Sequence, residues 1–379
     1  MNRFVPNDII TLVGERPRFD LGGSYGPNLR VEEILDATSL AEFESVILGY
    51  GSAQGEHALR SVVAELNGAD AEDVVLTVGS IHAIFLTAFV LCDRGDDVVL
   101  ATPVFPPSRA ALDAVGANVR EVRLSFDRGY SLDVAQLADT LTEKTKLVSV
   151  ASPQNPSGVA IAPSTLRQVL DAMRERCPGA YLLVDETYRE AAFGDDPVAP
   201  SALSLGDRVI TVASLSKCHG APGVRLGWAI VRDREVRAQL LLGKFNTVIS
   251  NSPVDEFLAL RVLRARERIV NERRAFLAAC VARTQTWVRE NDFAIEWVRP
   301  DGGAICCIRL RPGLFDDNAV ARFYEAAAKA GVLVSRGSWF GESDRVFRIG
   351  FAHLPLSELD GAYAALTSVL TQLAGEVST

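Results

Sequence analysis

Short apolar runs alternate with amphipathic stretches through the middle of the chain. The apolar runs predict strands, and polar, Gly or Pro residues follow most of them: residues 74–78, 97–101, 147–151, 181–184 and 208–212. Continuous apolar strands separated by helical patterns are typical of a mostly parallel sheet buried between helices. The pattern therefore predicts an α/β fold with its ligand site at the carboxyl ends of the strands.

The last third of the chain mixes single strands with helices. Residues 253–287 have helical periodicity and many arginines, which predicts one long connecting helix. Beyond it, strands are predicted at 305–310 and 346–351, and helices at 319–330 and 356–373. We therefore expect two domains: a large α/β domain over residues 45–265, and a smaller α+β domain built from residues 1–44 and 266–379.

Composition and charge narrow the class of protein. Apolar residues make up 48% of the 379 residues and charged residues 23%, which is typical of a globular protein. The net charge of −9 argues against nucleic acid or an anionic membrane as a partner. The apolar stretch 81–92 is too short to span a membrane and predicts a buried helix. No signal-like apolar region follows the first residues, so we expect a cytoplasmic protein.

The cysteines and histidines form no recognisable metal-binding pattern. Six cysteines occur without a CxxC pair, and four histidines occur without an HExxH-like spacing. Free, buried thiols are the simplest interpretation of the cysteines. We therefore predict no metal site.

The densest motif surrounds Lys217, which follows a predicted strand and lies between hydroxyl residues. Ser214 and Ser216 precede it, and Arg225 comes eight residues later, after a Pro-Gly turn. A lysine amine becomes a nucleophile when it is desolvated or near another cation. A guanidinium and a hydroxyl together suit a phosphate group. Taken alone, a lysine in such a turn is usually a solvated surface residue.

Two further motifs place polar side chains after predicted strands. Asp185 ends a buried strand, with Tyr188 three residues later. A buried carboxylate is costly unless it faces a cation, and a protonated pyridine nitrogen is such a cation. Asn155 lies in a Pro- and Gly-rich turn after the strand at 147–151. The alternatives are a helix N-cap for Asp185 and a simple turn for Asn155.

Three other positions complete the set of candidates. Gly79, Ser80 and Ile81 form a strand–helix junction, where free N–H groups make an anion site. Phe105 is an aromatic residue that either stacks on a flat cofactor or belongs to the core. Arg348 lies in an apolar strand and needs an anionic partner, for which a substrate carboxylate is suitable.

Taken in order, these motifs resemble the class I and II aminotransferases, in the aspartate aminotransferase superfamily of fold-type-I pyridoxal-phosphate enzymes. The stretch at 214–227 carries S-x-S-K…P-G-x-R-x-G, and N-P-x-G and D-x-x-Y occur at 155–158 and 185–188. The resemblance covers nearly the whole chain. It implies a mostly parallel central sheet flanked by helices, a smaller α+β domain, and pyridoxal 5′-phosphate (PLP) as cofactor.

The resemblance also implies a role for each candidate residue. Lys217 holds the cofactor as an aldimine and then shuttles a proton, Asp185 keeps the pyridine nitrogen protonated, and Arg348 binds the substrate α-carboxylate. Asn155 and Tyr188 bind the cofactor O3′, and Phe105 stacks on its ring. The remaining cofactor ligands, mostly at the phosphate, are Gly79, Ser80, Ile81, Ser214, Ser216 and Arg225.

Two segments near the amino end of the chain add expectations about the substrate and the partner. Residues 21–27 are similar to a segment of the histidinol-phosphate aminotransferase branch, which implies that Gly23 and Tyr25 face the substrate together with Asn155. Tyr50 resembles the family tyrosine that reaches the phosphate of a neighbouring subunit, which implies a homodimer with shared active sites. His82 and His219 lie inside cofactor motifs, where they are either structural or close to the substrate.

We therefore predict transfer of an amino group from an α-amino acid to a 2-oxo acid. The chain as a whole also resembles capreomycidine synthase, a cyclising enzyme, so β- or γ-elimination or cyclisation in specialised metabolism stays as the alternative.

Two other classes of protein are excluded. The G-x-S-x-G pattern at residues 22–26 does not indicate a hydrolase, because no predicted strands precede it. A PLP-binding regulator would need a DNA-binding segment that does not fit before Tyr50.

Overall fold

The computed structural model describes residues 4–12 and 17–377. A seven-stranded sheet, here called the main sheet, forms the centre of the molecule, with strand order β2-β8-β7-β6-β5-β3-β4. Its strands are β2 (Val74–Thr77), β3 (Asp97–Thr102), β4 (Asn118–Arg123), β5 (Thr145–Ala151), β6 (Tyr181–Asp185), β7 (Val209–Ser214) and β8 (Gly227–Val231).

The strands of the main sheet run parallel to one another except for β8, which is antiparallel to both of its neighbours. Strands β2, β3 and β8 are buried along their whole length and β5, β6 and β7 along most of it, which explains their continuous apolar sequences. Since β2, β3, β5, β6 and β7 point the same way, their carboxyl ends lie at one edge of the sheet. This edge is where parallel sheets bind ligands.

Helices cover the main sheet and also form much of the last third of the chain. They are α1 (Ala37–Glu44), α2 (His57–Asn67), α3 (Gly79–Leu91), α4 (Pro106–Val115), α5 (Val134–Thr140), α6 (Pro163–Arg176), α7 (Arg234–Val248), α8 (Pro253–Arg264), α9 (Arg266–Glu290), α10 (Asp317–Lys329) and α11 (Leu356–Val377). Helix α3 is apolar on nearly all sides because it packs against the main sheet and against α4 and α7.

The prediction of one continuous helix over residues 253–287 is wrong. The helix is interrupted at Ala265, which ends α8 and begins α9. The break coincides with a change of packing partner, since α8 lies against α2 while α9 reaches α11 and the strand β9 (Ile295–Trp297). No Gly or Pro marks it in the sequence, so helical periodicity continues across the break.

A second, four-stranded antiparallel sheet, the small sheet, has the order β12-β13-β10-β9. Its strands are β9 (Ile295–Trp297), β10 (Ile305–Leu310), β12 (Ser335–Arg336) and β13 (Val346–Gly350). Nearby, β1 (Phe19–Asp20) pairs in parallel with β11 (Val332–Leu333), so the amino-terminal segment is joined to this part of the molecule. Within the described residues, no helix has both the length and the apolar character needed to cross a bilayer.

Candidate active site

The carboxyl ends of β6 and β7 bring the two central predicted residues together. The charge of Lys217 acts on the half-buried Asp185 carboxyl, whose Oδ1 accepts a hydrogen bond of 2.9 Å from the Thr187 amide. Burial raises the pKa of Asp185, and the contacts with Thr187 and Lys217 oppose that rise. A half-buried carboxylate such as that of Asp185 is stabilised most strongly by a cation beside it.

The Lys217 amine is held by a segment near the amino end of the chain. Its Nζ donates a hydrogen bond of 2.7 Å to Ser24 Oγ. The same nitrogen lies 5.1 Å from the centre of the Tyr25 ring. The Tyr188 hydroxyl donates to the Ser24 carbonyl oxygen at 3.0 Å, and burial raises the pKa of Tyr188 to about 12. Ser24 and Tyr25 therefore bring the amino-terminal segment into contact with Lys217 Nζ.

The beginning of α3 forms a cradle that suits a small anion. Gly79 adopts a φ of +72°, and a Cβ on it would lie 2.6 Å from Arg225 Nη2. Arg225 itself has a left-handed φ of +49° and donates at 3.4 Å to Ser216 Oγ. Ser80 Oγ accepts from Thr187 Oγ1 at 3.2 Å, which links this helix start to the end of β6. Backbone amides, hydroxyls and a guanidinium thus meet where a phosphate is expected.

Arg348 lies on β13 and is only 2% exposed. It donates to three neutral oxygens: Asn155 Oδ1 at 2.9 Å, Gly22 O at 2.7 Å and Ser335 Oγ at 3.1 Å. Within the described part of the chain its Nε has no hydrogen-bond partner. The charge of Asp20 also acts on this guanidinium, but its hydrogen bonds go to neutral oxygens, which favours binding of a carboxylate from outside the chain.

The segment from Asp20 to Tyr25, here called the strap, contacts both Lys217 and Arg348. Asp20 Oδ1 accepts from the amides of Gly22 and Gly23 at 2.8 and 3.2 Å. A Cβ on Gly23 would lie 2.5 Å from the His353 ring, and Tyr25 packs edge-on against the same ring, with centroids 5.0 Å apart. The predicted substrate-side residues Gly23 and Tyr25 therefore lie beside Lys217 and Arg348.

Three predicted cofactor residues are partly or largely exposed. Phe105 is half-buried at the beginning of α4, and Ile81 is 41% exposed on α3. Tyr50 is 84% exposed. The position of Tyr50 stays a prediction that depends on a second subunit.

The two histidines inside the cofactor motifs have structural partners. His82 Nδ1 accepts from the Val78 amide at 3.3 Å, and burial, with the charge of Lys244, lowers the pKa of His82 to about 4. His219 Nε2 lies 3.1 Å from Glu190 Oε2. Within the described residues, no group of three or more His, Cys, Asp or Glu side chains is arranged to hold a metal ion.

Sequence reasoning missed Ser24, Thr187 and the Glu190–His219 contact. Ser24 and Lys217 are 193 positions apart, so no local spacing relates them. Thr187 lies two residues after Asp185, inside the D-x-x-Y motif, so the motif itself could have identified it as a neighbour of the Asp185 carboxyl.

Comparison with known proteins agrees with this geometry. The sequence matches the family "Aminotransferase class I and II" over residues 21–366. The chain belongs to this family. It is 30% identical to capreomycidine synthase of Streptomyces vinaceus over 330 residues, which are 87% of this chain and 82% of that protein. It is 29% identical to an arginine–pyruvate transaminase of Pseudomonas aeruginosa over 322 residues, 80% of this chain and 78% of the relative.

A solved structure with a similar fold is that of the PLP-dependent cyclase OrfR, with a TM-score of 0.87, 26% identity and 98% coverage of both chains. The resemblance seen in the sequence motifs is thus confirmed at the level of family and fold. The protein is a PLP-dependent transferase. The residues present fit this cofactor, since the Gly79 cradle suits its phosphate and the half-buried Asp185 carboxyl suits a protonated ring nitrogen.

Proposed function

We propose that this protein is an aminotransferase that moves an amino group from an α-amino acid to a 2-oxo acid. The observation that carries the proposal is the convergence of Lys217 and Arg348 on the strap. Ser24 accepts from Lys217 Nζ, and Gly22, two residues away, accepts from Arg348. A reactive amine and a carboxylate-binding guanidinium so close together suit an α-amino acid.

We assign the cofactor contacts as follows. Asp185 would face the protonated ring nitrogen, and Phe105 would cover the ring. Asn155 and Tyr188 would bind the ring oxygen O3′. The phosphate would be held by Gly79, Ser80, Ile81, Ser214, Ser216 and Arg225, with Tyr50 supplied by a second subunit. When bound, PLP supplies an electron sink for a negative charge that develops at the substrate α-carbon.

Lys217 has two tasks in this proposal. Its Nζ would hold the cofactor covalently. With a substrate present, Nζ would be the general base that takes the proton from the substrate α-carbon, and then the general acid that gives it up again. Because Ser24 and Tyr25 hold the amine from one side, it returns to the same place in each cycle.

Arg348 fixes the substrate by its carboxylate. Its Nη1 bond to Asn155 Oδ1 orients the Asn155 amide, so the two side chains form one polar wall. A 2-oxo acid carries the same carboxylate and binds in the same way, which allows one site to serve both half-reactions.

The test is the fate of the nitrogen atom. The purified holoenzyme is incubated with ¹⁵N-labelled amino acids, one at a time, together with pyruvate or 2-oxoglutarate, and the products are analysed by mass spectrometry. Transamination transfers ¹⁵N to the acceptor, which becomes a labelled amino acid. Release of ¹⁵N as ammonia, or its retention in a product of the donor, would contradict the proposal.

A second candidate function is cyclisation or elimination on an amino acid in specialised metabolism. The observation that favours it is the similarity to capreomycidine synthase and to the cyclase OrfR. Both reactions begin with removal of the α-proton, and the residues around Lys217 serve either. In the ¹⁵N experiment, a labelled product that forms without any 2-oxo acid identifies this alternative.

We also propose that the protein is a cytoplasmic homodimer. Each subunit would have a large domain over residues 45–265 and a small domain formed by residues 1–44 and 266–379. The six cysteines are free and buried, as is usual in a reducing compartment. Apolar side chains are exposed on the 47–50 segment, α3 and α7: Ile47, Leu48, Phe89, Leu242 and Phe245. A patch of this kind marks an interface. Sedimentation equilibrium measures the mass, and a monomer at micromolar concentration would contradict the dimer.

A further inference from the structure

The hydroxyl of Ser24 belongs to no motif of the cofactor site, yet its oxygen lies 2.7 Å from Lys217 Nζ. The backbone of the same residue accepts from Tyr188. Ser24 is therefore held against the reacting amine by two contacts that involve different parts of the residue.

We propose that Ser24 is a positioning residue, which holds the Lys217 amine in place during the steps in which that amine is released from the cofactor. The proposal rests on the assignment of Lys217 as the cofactor-binding lysine. A neutral amine has two N–H bonds and one lone pair. When one N–H is donated to Ser24 Oγ, the lone pair stays available to take the substrate α-proton.

Tyr25, the next residue, stabilises the Lys217 amine after the amine has taken up a proton. Tyr25 presents its ring 5.1 Å from Lys217 Nζ, within the range of a cation–π interaction. Ser24 can accept from either form of the amine, whereas the ring favours the ammonium. The pair Ser24–Tyr25 thus supports Lys217 in both protonation states, and the proton that Nζ takes from the α-carbon can be passed on from the same position.

The strap is rigid enough for this task. Leu21 is tied on both sides, since its amide donates to Leu333 O at 2.9 Å and its carbonyl accepts from the Gly350 amide at 2.6 Å. The Arg348 contact to Gly22 O and the Asp20 contacts to the next amides hold the following residues. Ser24 is consequently presented to Lys217 by a segment with little freedom, as positioning of a catalytic group requires.

The test uses two variants of nearly the same shape, Ser24→Thr, which keeps a hydroxyl, and Ser24→Val, which lacks it. Both are loaded with PLP, and loading is checked by absorbance. Single-turnover rates are then measured with an amino acid and its α-deuterated form. We expect Ser24→Thr to react at close to the wild-type rate. Ser24→Val should react about tenfold more slowly, the equivalent of one hydrogen bond, with a larger deuterium isotope effect and unchanged KM.

A second readout does not depend on turnover. In the apoenzyme, hydrogen–deuterium exchange of the strap is compared for wild type, Ser24→Val, Lys217→Ala and the double variant. If the contact holds the strap, each single change speeds exchange of the strap amides, and the double change adds little. Ser368→Ala, on the exposed surface of α11, is the control and should match wild type in both experiments.

The outcomes separate this inference from the proposed function. A wild-type protein that binds no PLP contradicts the proposed function. A wild type that binds PLP and turns over, combined with Thr and Val variants that are equally fast or equally slow, overturns the role of the Ser24 hydroxyl. Additive exchange effects in the double variant would overturn the contact itself.

Discussion

At the scale of single residues, Lys217 is the group on which the chemistry depends. Replacing it by Ala removes the covalent link to the cofactor and the proton carrier together. We expect Lys217→Ala to bind PLP without the covalent link and to lose activity by a factor of about 10³ or more, the contribution of a positioned acid–base group. Multiple turnovers at the wild-type rate would contradict the assignment. Lys329→Ala, an exposed lysine at the end of α10, is the matched control.

Arg348 should control binding more than chemistry. Its guanidinium meets only neutral acceptors within the described residues, so the substrate carboxylate is its strongest partner. We expect Arg348→Ala to raise KM for the amino donor about 100-fold, as for a lost buried ion pair, with a smaller change in kcat. Steady-state kinetics tests this, with Arg322→Ala on the exposed side of α10 as control. An unchanged KM would mean that another residue holds the carboxylate.

At the scale of elements, the beginning of α3 carries the phosphate cradle. A Cβ at Gly79 would lie 2.6 Å from Arg225 Nη2, and the φ of +72° disfavours any other residue. We expect Gly79→Ala to weaken PLP binding by a factor of about 10 or more, since a strained backbone costs about 1–3 kcal/mol.

Titration of the apoenzyme with PLP measures this loss. Gly68→Ala is a suitable control because Gly68 has a similar φ of +64°, while a Cβ there meets open space. It should lower the free energy of unfolding and leave the affinity for PLP unchanged. Equal PLP affinity in Gly79→Ala and wild type would argue against the cradle.

The elements differ in how far the sequence predicts them. Strands β2, β3, β5, β6 and β7 are buried and continuous in apolar character, so single-sequence patterns reveal them. Strand β4 was not predicted because it lies at the edge of the main sheet, and only Val122 in it is fully buried. Strand β8 was also missed, although it is buried and apolar along its length. The break at Ala265 was also missed, because it depends on what α8 and α9 pack against.

The residues of the candidate site also differ in how far the sequence predicts them. Asp185, Tyr188 and Lys217 belong to compact motifs that follow strands, so their residue types and spacing could be interpreted directly. The contact between Ser24 and Lys217 joins residues 193 positions apart, and it exists only because β1 pairs with β11 and places the strap over the main sheet. Tyr50 depends on a second subunit, which one sequence does not describe.

At the scale of the whole molecule, Glu190 ties the segment after β6 to α9. Its carboxylate contacts His219 at 3.1 Å and Arg266 at 2.5 Å. Burial acts to raise the pKa of Glu190, but the hydrogen bonds and charges of His219 and Arg266 outweigh it and lower the pKa to about 2. Because the pKa is lowered in the folded state, the stabilisation is complete above the ordinary value near 4.5 and is lost as the pH falls towards 2.

We expect Glu190→Gln to reduce the free energy of unfolding at pH 7 by about 1–3 kcal/mol, the cost of weakening a buried charged pair. Its stability should also fall less steeply than that of wild type between pH 4.5 and 2. Urea unfolding of the holoenzyme at several pH values measures both effects, and Glu272→Gln, on the exposed side of α9, is the control. Parallel pH profiles for wild type and Glu190→Gln would contradict this role.

The central claim, PLP-dependent transamination at Lys217, is tested most directly by the visible absorption spectrum of the purified holoenzyme during addition of single amino acids. The account predicts a yellow absorption band that one amino acid or a few convert to a near-ultraviolet band, and that a 2-oxo acid restores. A band that never returns with a 2-oxo acid, while ammonia or a cyclic product accumulates, would contradict transamination. Absence of any band after addition of PLP would contradict the assignment of the site itself.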